Sequence, residues 1–469
     1  MAWTRTQEHY IERTPEQLWD VLADPARLPE WNPAVASLTP RPANGPAPLG
    51  PGTELDLVPR PAPIGEIHRR TAPAAVVTRC DAPHAFAWRQ QQPGGGLLLS
   101  WELTPAGTGT LLSQRVSVDG AASALFAETA ARPLASRFAE NCARLYRLAG
   151  GTVTQPLKVV IAGGTGFLGR RLAADLLCRG HEVVVLSRRP DDSLPFVQRA
   201  WDGRGQGPWA AELAGETALV NLAGKLVDCP PTTANIEALR ASRVDSTRAL
   251  VEASRRLDAP LRRWVQASTT AVFGDSGDAR LTEDSPLPRT EADGALPQMT
   301  GVARPWEEAA AGANAEHLSV LRTSIVLEQE CPAFDRLALL ARAGLGGPVG
   351  DGAQWFSWIH LEDWLGIARA ALGLEAGVEL GSGVVIAAAP DPVRNADLMA
   401  VLRSRLAPGP LKRFSLPTPA PLLRVGAVAL RTDPALGLTG RHATSSVLGP
   451  AGFRFRHPEL GAAVAAITS

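Results

Sequence analysis

The sequence predicts an α/β fold, a doubly wound parallel sheet, preceded by a separate α+β domain. Three observations carry this. From residue 157 onward, short apolar runs alternate with helix-like stretches, the pattern of a parallel sheet covered on both faces. One of those strand–helix junctions is a glycine-rich loop. Before residue 151 the order is instead strand, helix, several strands and a closing helix, with Gly and Pro between the strands. A chain of 469 residues also exceeds one ordinary core.

Within residues 1–151, Thr4 to Ile11 reads as a strand, and Thr14 offers an N-cap ahead of Pro15 and the helix EQLWDVL. Pro40 to Gly52 is too rich in Pro and Gly for a regular element. LLLSWELTP and TGTLLSQRVSV follow as strands. Phe126, Ala130, Leu134, Phe138 and Cys142 recur every fourth residue, which predicts one long C-terminal helix. Thr152 to Pro156 is a linker. In the second unit the predicted strands are LKVVIA, EVVVLS, TALVNLA, RWVQAST and LSVLRTSIVL.

Composition excludes several functions. Lys+Arg and Asp+Glu are both 47, so no net field recruits nucleic acid or an acidic membrane. Five cysteines without CxxC pairing argue against a zinc site or disulfide framework, and no metal is expected. The N-terminus lacks an apolar signal region and no stretch approaches a membrane span, so the expectation is a cytoplasmic protein.

The chemistry starts at Gly163-Gly164-Thr165-Gly166-Phe167-Leu168-Gly169, which reads GxxGxxG between strand and helix. Glycines let the backbone turn tightly and approach a pyrophosphate, whose charge then rests on the helix N-terminal amides. This is a Rossmann dinucleotide unit. The second strand ends in Ser187-Arg188-Arg189, where an NAD site usually carries Asp or Glu. A carboxylate would repel a 2′-phosphate and guanidinium groups can pair with it, so NADP(H) is favoured over NAD(H). Asp191 and Asp192 lie beyond Pro190.

Two resemblances follow. Element order and PEQLWDVLADPARLPEWNP make residues 1–151 similar to the SRPBCC superfamily (START-like, polyketide-cyclase-like, a helix-grip fold), which implies an apolar cavity and a hydrophobic ligand. Trp31, Phe86, Trp88, Trp101 and Phe138 are read first as core packing. GGTGFLGRRL, NLAGKLVDC, SRVDSTRALVEA, STTAVFGDSGDARLTEDSP, LRTSIVL and GGPVGDGAQWFSWIHLEDW resemble the atypical, NAD-dependent epimerase/dehydratase-like branch of extended short-chain dehydrogenases/reductases. The resemblance implies a nucleotide-binding domain over 157–415. LGPAGFRFRHPELGAAVAAI resembles the small DUF1731-like module that ends such proteins, here 416–469.

By the same resemblance, Asn221, Leu222, Ala223 and Gly224 line the nicotinamide–ribose side. Thr269 takes the place of the catalytic Ser/Thr, against the plainer role of satisfying backbone at a strand end with Ser268. The superfamily's Tyr and Lys are missing: Ala303 stands where Tyr belongs and Glu307 where Lys belongs, and both tyrosines, Tyr10 and Tyr146, precede the α/β half. Lys225, Glu307, Asp275 and His360 are candidate substitutes. Glu307 has the alternative of a solvated helix residue, and His360 that of a strand-end hydrogen-bonder. Arg322, Trp355, Phe356 and Trp358 are expected at a substrate pocket or domain interface, the aromatics chiefly in packing. Two functions remain open: an NADP(H)-dependent oxidoreductase or epimerase acting on a small, apolar molecule, or a non-catalytic NADP(H)-sensing module.

Overall fold

A computed structural model describes residues 3–41, 49–60, 73–92, 95–121, 123–151, 156–413, 418–419 and 433–468. Much of the Pro40 to Gly52 stretch, most of the Thr152 to Pro156 linker and the expected 415/416 boundary lie outside the described residues.

Strand β1 (Trp3–Ile11) leads into helix α1 (Pro15–Leu22), which starts where the sequence places it. Thr14 Oγ1 accepts from Gln17 N, the Gln17 side chain accepts from Thr14 N, and Pro15 opens the helix. Strands β2 (Val35–Pro40), β3 (Glu54–Pro59), β4 (Ala75–Asp81), β5 (Ala85–Gln92), β6 (Gly95–Ala106) and β7 (Gly109–Gly120) complete an antiparallel sheet of order β1-β7-β6-β5-β4-β3-β2. Alternate residues of β5, β6 and β7, such as Phe86, Trp88, Leu99, Trp101 and Val116, point inward and are fully buried. Trp101 packs edge-on to Trp31 at 5.4 Å and stacks on Phe86 at 6.1 Å, so these aromatics are core.

The single long closing helix is a correction. Helical turns run from Ser123 to Ala135 through a π-helical turn at Ala127–Ala131, and the chain then breaks at Arg137, whose φ is +52°. Helix α2 (Phe138–Leu148) resumes beyond it. The fourfold apolar spacing survives because Leu134, Phe138 and Cys142 still face the sheet. Periodicity reports the buried face and is silent on a one-residue kink.

The second unit is the doubly wound sheet. Strands β8 (Lys158–Ala162), β9 (Glu182–Ser187), β10 (Val197–Ala200), β11 (Thr217–Asn221), β12 (Arg263–Thr269), β13 (Leu318–Thr323) and β14 (Gly383–Ala387) are all parallel, in the order β10-β9-β8-β11-β12-β13-β14. The order reverses at β8/β11, which opens a crevice beyond their carboxyl ends. Helices α3 (Phe167–Cys178), α4 (Thr233–Ser254) and α5 (Thr300–Ala309) cover the faces. Helices α6 (Pro332–Arg342), α7 (Leu361–Ala371), α8 (Asn395–Leu406) and α9 (Leu460–Thr468) follow; α6, α8 and α9 share one apolar cluster, and α7 packs on α3. Among the described residues no helix is long and apolar enough to cross a membrane.

The two units share a core. Helix α2 packs along α3, the helix that begins at the glycine loop. Between them Arg171 of α3 meets Glu140 of α2 at 3.0 Å and Glu330 at 2.7 Å, and Arg5 of β1 reaches Glu330 at 3.3 Å. Glu140 is fully buried and Arg171 nearly so. Mutual neutralisation is what makes two such charges tolerable in the interior.

Candidate functional site

The glycine loop is built so that side chains cannot enter it. Gly163 has φ +78°, and a Cβ there would lie 2.7 Å from the carbonyl oxygen of Leu222. At Gly169 a Cβ would come within 2.5 Å of the Gly164 Cα, which holds helix α3 tight against the loop. Gly166 is the N-cap of α3 and has no side chain to cap it, so the first-turn amides at Phe167 and Leu168 receive no side-chain cap. The result is a cradle of backbone N–H groups at the positive end of a twelve-residue helix, shaped for a pyrophosphate. Thr165 flanks it, its hydroxyl 3.4 Å from the Ser187 Oγ.

At the end of β9, Ser187 folds back on the chain: its Oγ donates to Arg189 O and accepts from Arg189 N. Arg188 and Arg189 are exposed. Asp191 turns elsewhere, its carboxylate accepting from Ser193 N. Among the described residues, the end of β9 itself carries Ser187, Arg188 and Arg189 and no carboxylate.

Asn221 is fully buried and its amide is consumed locally. Nδ2 donates to Thr247 Oγ1 and Gln266 Oε1, and Oδ1 accepts from Ala223 N. It shapes the Leu222-Ala223-Gly224 turn and presents only backbone outward. Lys225 donates from Nζ to Asn235 Oδ1 at 3.0 Å, which ties it to the start of α4.

Around the end of β12 the structure revises several roles. Thr269 caps the following short 3₁₀ turn, its Oγ1 accepting from Ala271 N at 3.2 Å, so it does satisfy backbone at the strand end. Ser268 Oγ donates to Glu307 Oε1 at 2.5 Å. Glu307 is not the solvated helix residue that its position suggests. It pairs bidentately with Arg322, at 3.0 Å through each nitrogen, and both side chains are nearly buried. Arg322 is correspondingly engaged within the fold: it lies over the Phe273 ring and holds Glu307. Ala303 packs among Val272, Phe273 and Ile386.

Asp275 Oδ1 accepts from Gly440 N and so joins the C-terminal segment to the end of the 3₁₀ turn. His360 caps α7, its Nδ1 accepting from Glu362 N, and burial pushes its pKa down to about 4. His457 stacks on it at 3.7 Å, and Glu362 holds the His457 pKa up through a 2.9 Å contact. His360, Glu362 and His457 offer one ligand atom each within 4.8 Å of one another. Two stacked imidazoles cannot both aim in-plane lone pairs at one ion, so a metal there would require one ring to turn.

A cavity of about 80 Å³ opens beside Thr270, lined by Ile325, Trp355, Phe356, Thr439 and Arg441 among others. Trp355 and Phe356 thus reach the cleft as well as pack, Trp355 stacking on His442 at 3.9 Å. Trp358 is core, its Nε1 donating to Asp391 O. Sequence reasoning missed Arg441, which lies 167 residues from the Gly274 carbonyl it donates to. It also missed Arg243, whose only chain signal was its place in SRVDSTRALVEA.

Fold and site together define an epimerase-like Rossmann protein with a helix-grip unit fused ahead of it. The description "polyketide cyclase / dehydrase and lipid transport" matches residues 2–149, and "NAD dependent epimerase/dehydratase family" matches residues 159–293. The human epimerase family protein SDR39U1 is 31% identical over 317 residues, which span 67% of this chain and 100% of that one. Epimerase family protein MT2273 of Mycobacterium tuberculosis is 32% identical over 316 residues, covering 66% and 97%. The chain belongs to this epimerase family. Two solved structures are similar: human SDR39U1 isoform 2 with NADPH (TM-score 0.56, 30% identity, 66% of this chain and 99% of that one), and a nucleoside-diphosphate sugar epimerase from Corynebacterium glutamicum (TM-score 0.59, 25% identity, 99% and 90%). The second extends the likeness across both units.

Proposed function

We propose that this chain binds NADP(H) across the β8/β11 crevice and acts as an oxidoreductase or epimerase on a small molecule with an apolar body. The carrying observation is the pairing of the Gly163–Gly169 cradle with exposed Arg188 and Arg189 at the end of β9, where no carboxylate stands. The NADPH in the human relative's structure supports the same cofactor. Gly163, Thr165, Gly166, Phe167, Leu168 and Gly169 would hold the pyrophosphate. Ser187, Arg188 and Arg189 would hold the 2′-phosphate, and Asn221 to Gly224 would line the nicotinamide ribose. When bound, the cofactor supplies or accepts a hydride. Thr269, whose Oγ1 accepts from Ala271 N, would donate its hydroxyl proton to a substrate oxygen at the strand end. The helix-grip unit would hold or deliver the apolar substrate.

A second reading, a non-catalytic NADP(H) sensor, is favoured by one observation: Glu307 is neutralised by Arg322 and Ala303 is buried, so neither supplies a proton carrier in the usual place. NADPH oxidation against a panel of carbonyl and enone compounds, with Thr269→Ala as control, separates the two. Turnover that falls in T269A supports the enzyme. Tight NADPH binding with no turnover on any compound supports the sensor. Native mass spectrometry of the full chain, looking for a co-purified apolar molecule, tests the helix-grip role.

A further inference from the structure

Several buried guanidinium groups in this fold are met by carboxylates, and Arg13 by two backbone carbonyls and the Tyr146 ring. Arg171 has Glu140 and Glu330, Arg322 has Glu307, and Arg369 has Asp175 and Glu375. Arg243, on helix α4, is treated differently. Among the described residues its one hydrogen bond runs from Nη1 to the Leu239 carbonyl at 3.1 Å, within its own helix. No carboxylate among the described residues forms an ion pair with it, and the titratable group acting on it is the Cys229 thiol. Burial accordingly pulls its pKa down to about 10.

Its surroundings are specific. The guanidinium lies over the Trp306 ring at 5.0 Å and beneath Gly224, where even an added Cβ would come within 3.0 Å of Cζ. Trp306 Nε1 is buried and, among the described residues, has no acceptor. Yet Arg243 keeps a fraction of its surface open to solvent. The side chain is thus packed against Trp306 and Gly224 and is still reachable from solvent. An arginine cannot shed its proton, so a desolvated, unpaired one costs free energy until an anion reaches it.

The cofactor does not need this cation. Its pyrophosphate would be met by the α3 N-terminus at the end of β8, and its 2′-phosphate by Arg188 at the end of β9. Arg243 lies past both, beside the turn that follows β11. We infer that Arg243, with Trp306 Nε1 beside it, receives a carboxylate or phosphate of the second ligand, so that the substrate of the proposed reaction is an anion. The inference rests on the NADP(H) reading for its geometry, and it names the class of substrate that reading leaves open.

The test uses the full chain and two probes, inorganic phosphate and butyrate, with neutral butyramide as control. Each is titrated with and without saturating NADPH, following melting temperature and heat of binding. Both anions should stabilise the wild type saturably even when NADPH already occupies the Arg188 end, and butyramide should not. Arg243→Gln should weaken both anions at least tenfold while NADPH affinity stays within about twofold. R243K, which keeps the charge but loses the planar fork, should fall between. Without added anion, R243Q should melt no lower than the wild type, because it removes an unpaired buried charge; a purely structural arginine would predict a loss. An anion response equal in wild type and R243Q overturns the inference, as does its absence from the wild type. A tenfold loss of NADPH affinity in R243Q with anion binding intact also overturns it, by assigning Arg243 to the cofactor. Failure of the wild type to bind NADPH defeats the cofactor proposal instead, and the titrations without NADPH still decide Arg243.

Discussion

Glu307 and Arg322 face each other through two parallel contacts of 3.0 Å, one from α5 and the other from β13, with Ser268 Oγ completing the carboxylate's shell. The position that the family pattern assigns to a catalytic lysine therefore carries the opposite charge, and the fold supplies its counter-ion from the neighbouring strand. In the fold this carboxylate is held within a nearly buried ion pair. Removing one partner would strand the other in the interior, which costs about 3–5 kcal/mol. Glu307→Ala should lower unfolding stability by that order in urea titrations, whereas the double change E307A/R322M should recover much of it. Full additivity of the two single changes would show that the pair is not coupled.

Cofactor discrimination should reside in Arg188. Arg188→Ala is expected to weaken NADPH roughly tenfold while leaving NADH almost unchanged, since only the former carries the charge that the guanidinium meets. Gly163→Ala should abolish both, because a Cβ at φ +78° would lie 2.7 Å from the Leu222 oxygen. Fluorescence titration with each nucleotide checks both statements. Equal losses for NADPH and NADH in R188A would remove the 2′-phosphate assignment.

The contact between the units is a further prediction. Glu140 is wholly buried and meets Arg171, with Arg170 at 3.6 Å. Glu140→Ala leaves Arg171 only Glu330, which Arg5 also uses. A loss of about 3 kcal/mol is expected, and it should appear as earlier proteolysis near residues 137–151. Because Arg171 sits on α3, two residues past Gly169, the same variant should also weaken NADPH measurably. Unaltered stability in E140A would mean that the units dock without this network.

Much of this arrangement was legible in the chain. The apolar runs of β8, β9, β11 and β12 sit where alternation places them, whereas the expected strand LSVLRTSIVL divides after Thr323 into β13 and a short strand, Ile325–Leu327, that pairs with Trp358–His360 outside the sheet; Thr14-Pro15 announces α1 through local hydrogen bonding alone. The glycine loop is equally local, since Gly163, Gly164 and Gly169 are each required by atoms a few residues away or on the adjoining strand. What was not legible depends on contacts between elements. Glu307 reads as a surface helix residue until the sheet order sets β13 beside β12 and under α5. Arg322 reads as a pocket residue for the same reason. The break at Arg137 is invisible because the apolar spacing continues through it, and strand β10 is short and half-exposed at the sheet edge, so it carries little pattern.

Two histidines make stability fall on the acid side. Burial holds His9 and His360 neutral in the fold, each with its pKa pushed down to about 4, against an ordinary value near 6.5. Between these values the unfolded chain binds protons that the folded chain refuses, so unfolding is favoured progressively as pH drops from 6.5 to 4. Each histidine contributes up to roughly 3 kcal/mol of lost stability across that window. His457 acts in the opposite sense. Glu362 raises its pKa, so its contribution is complete below 6.5 and is lost as pH rises through the raised value. The net expectation is a melting temperature clearly lower at pH 5 than at pH 7, with a softer decline above neutrality. His360→Asn isolates one term, because the asparagine side chain can still accept from Glu362 N and cap α7 while removing the titration. H360N should therefore match the wild type at pH 7 and exceed it at pH 5. A variant that loses stability equally at both values would show that the His360 ring contributes through packing against His457 and not through its protonation.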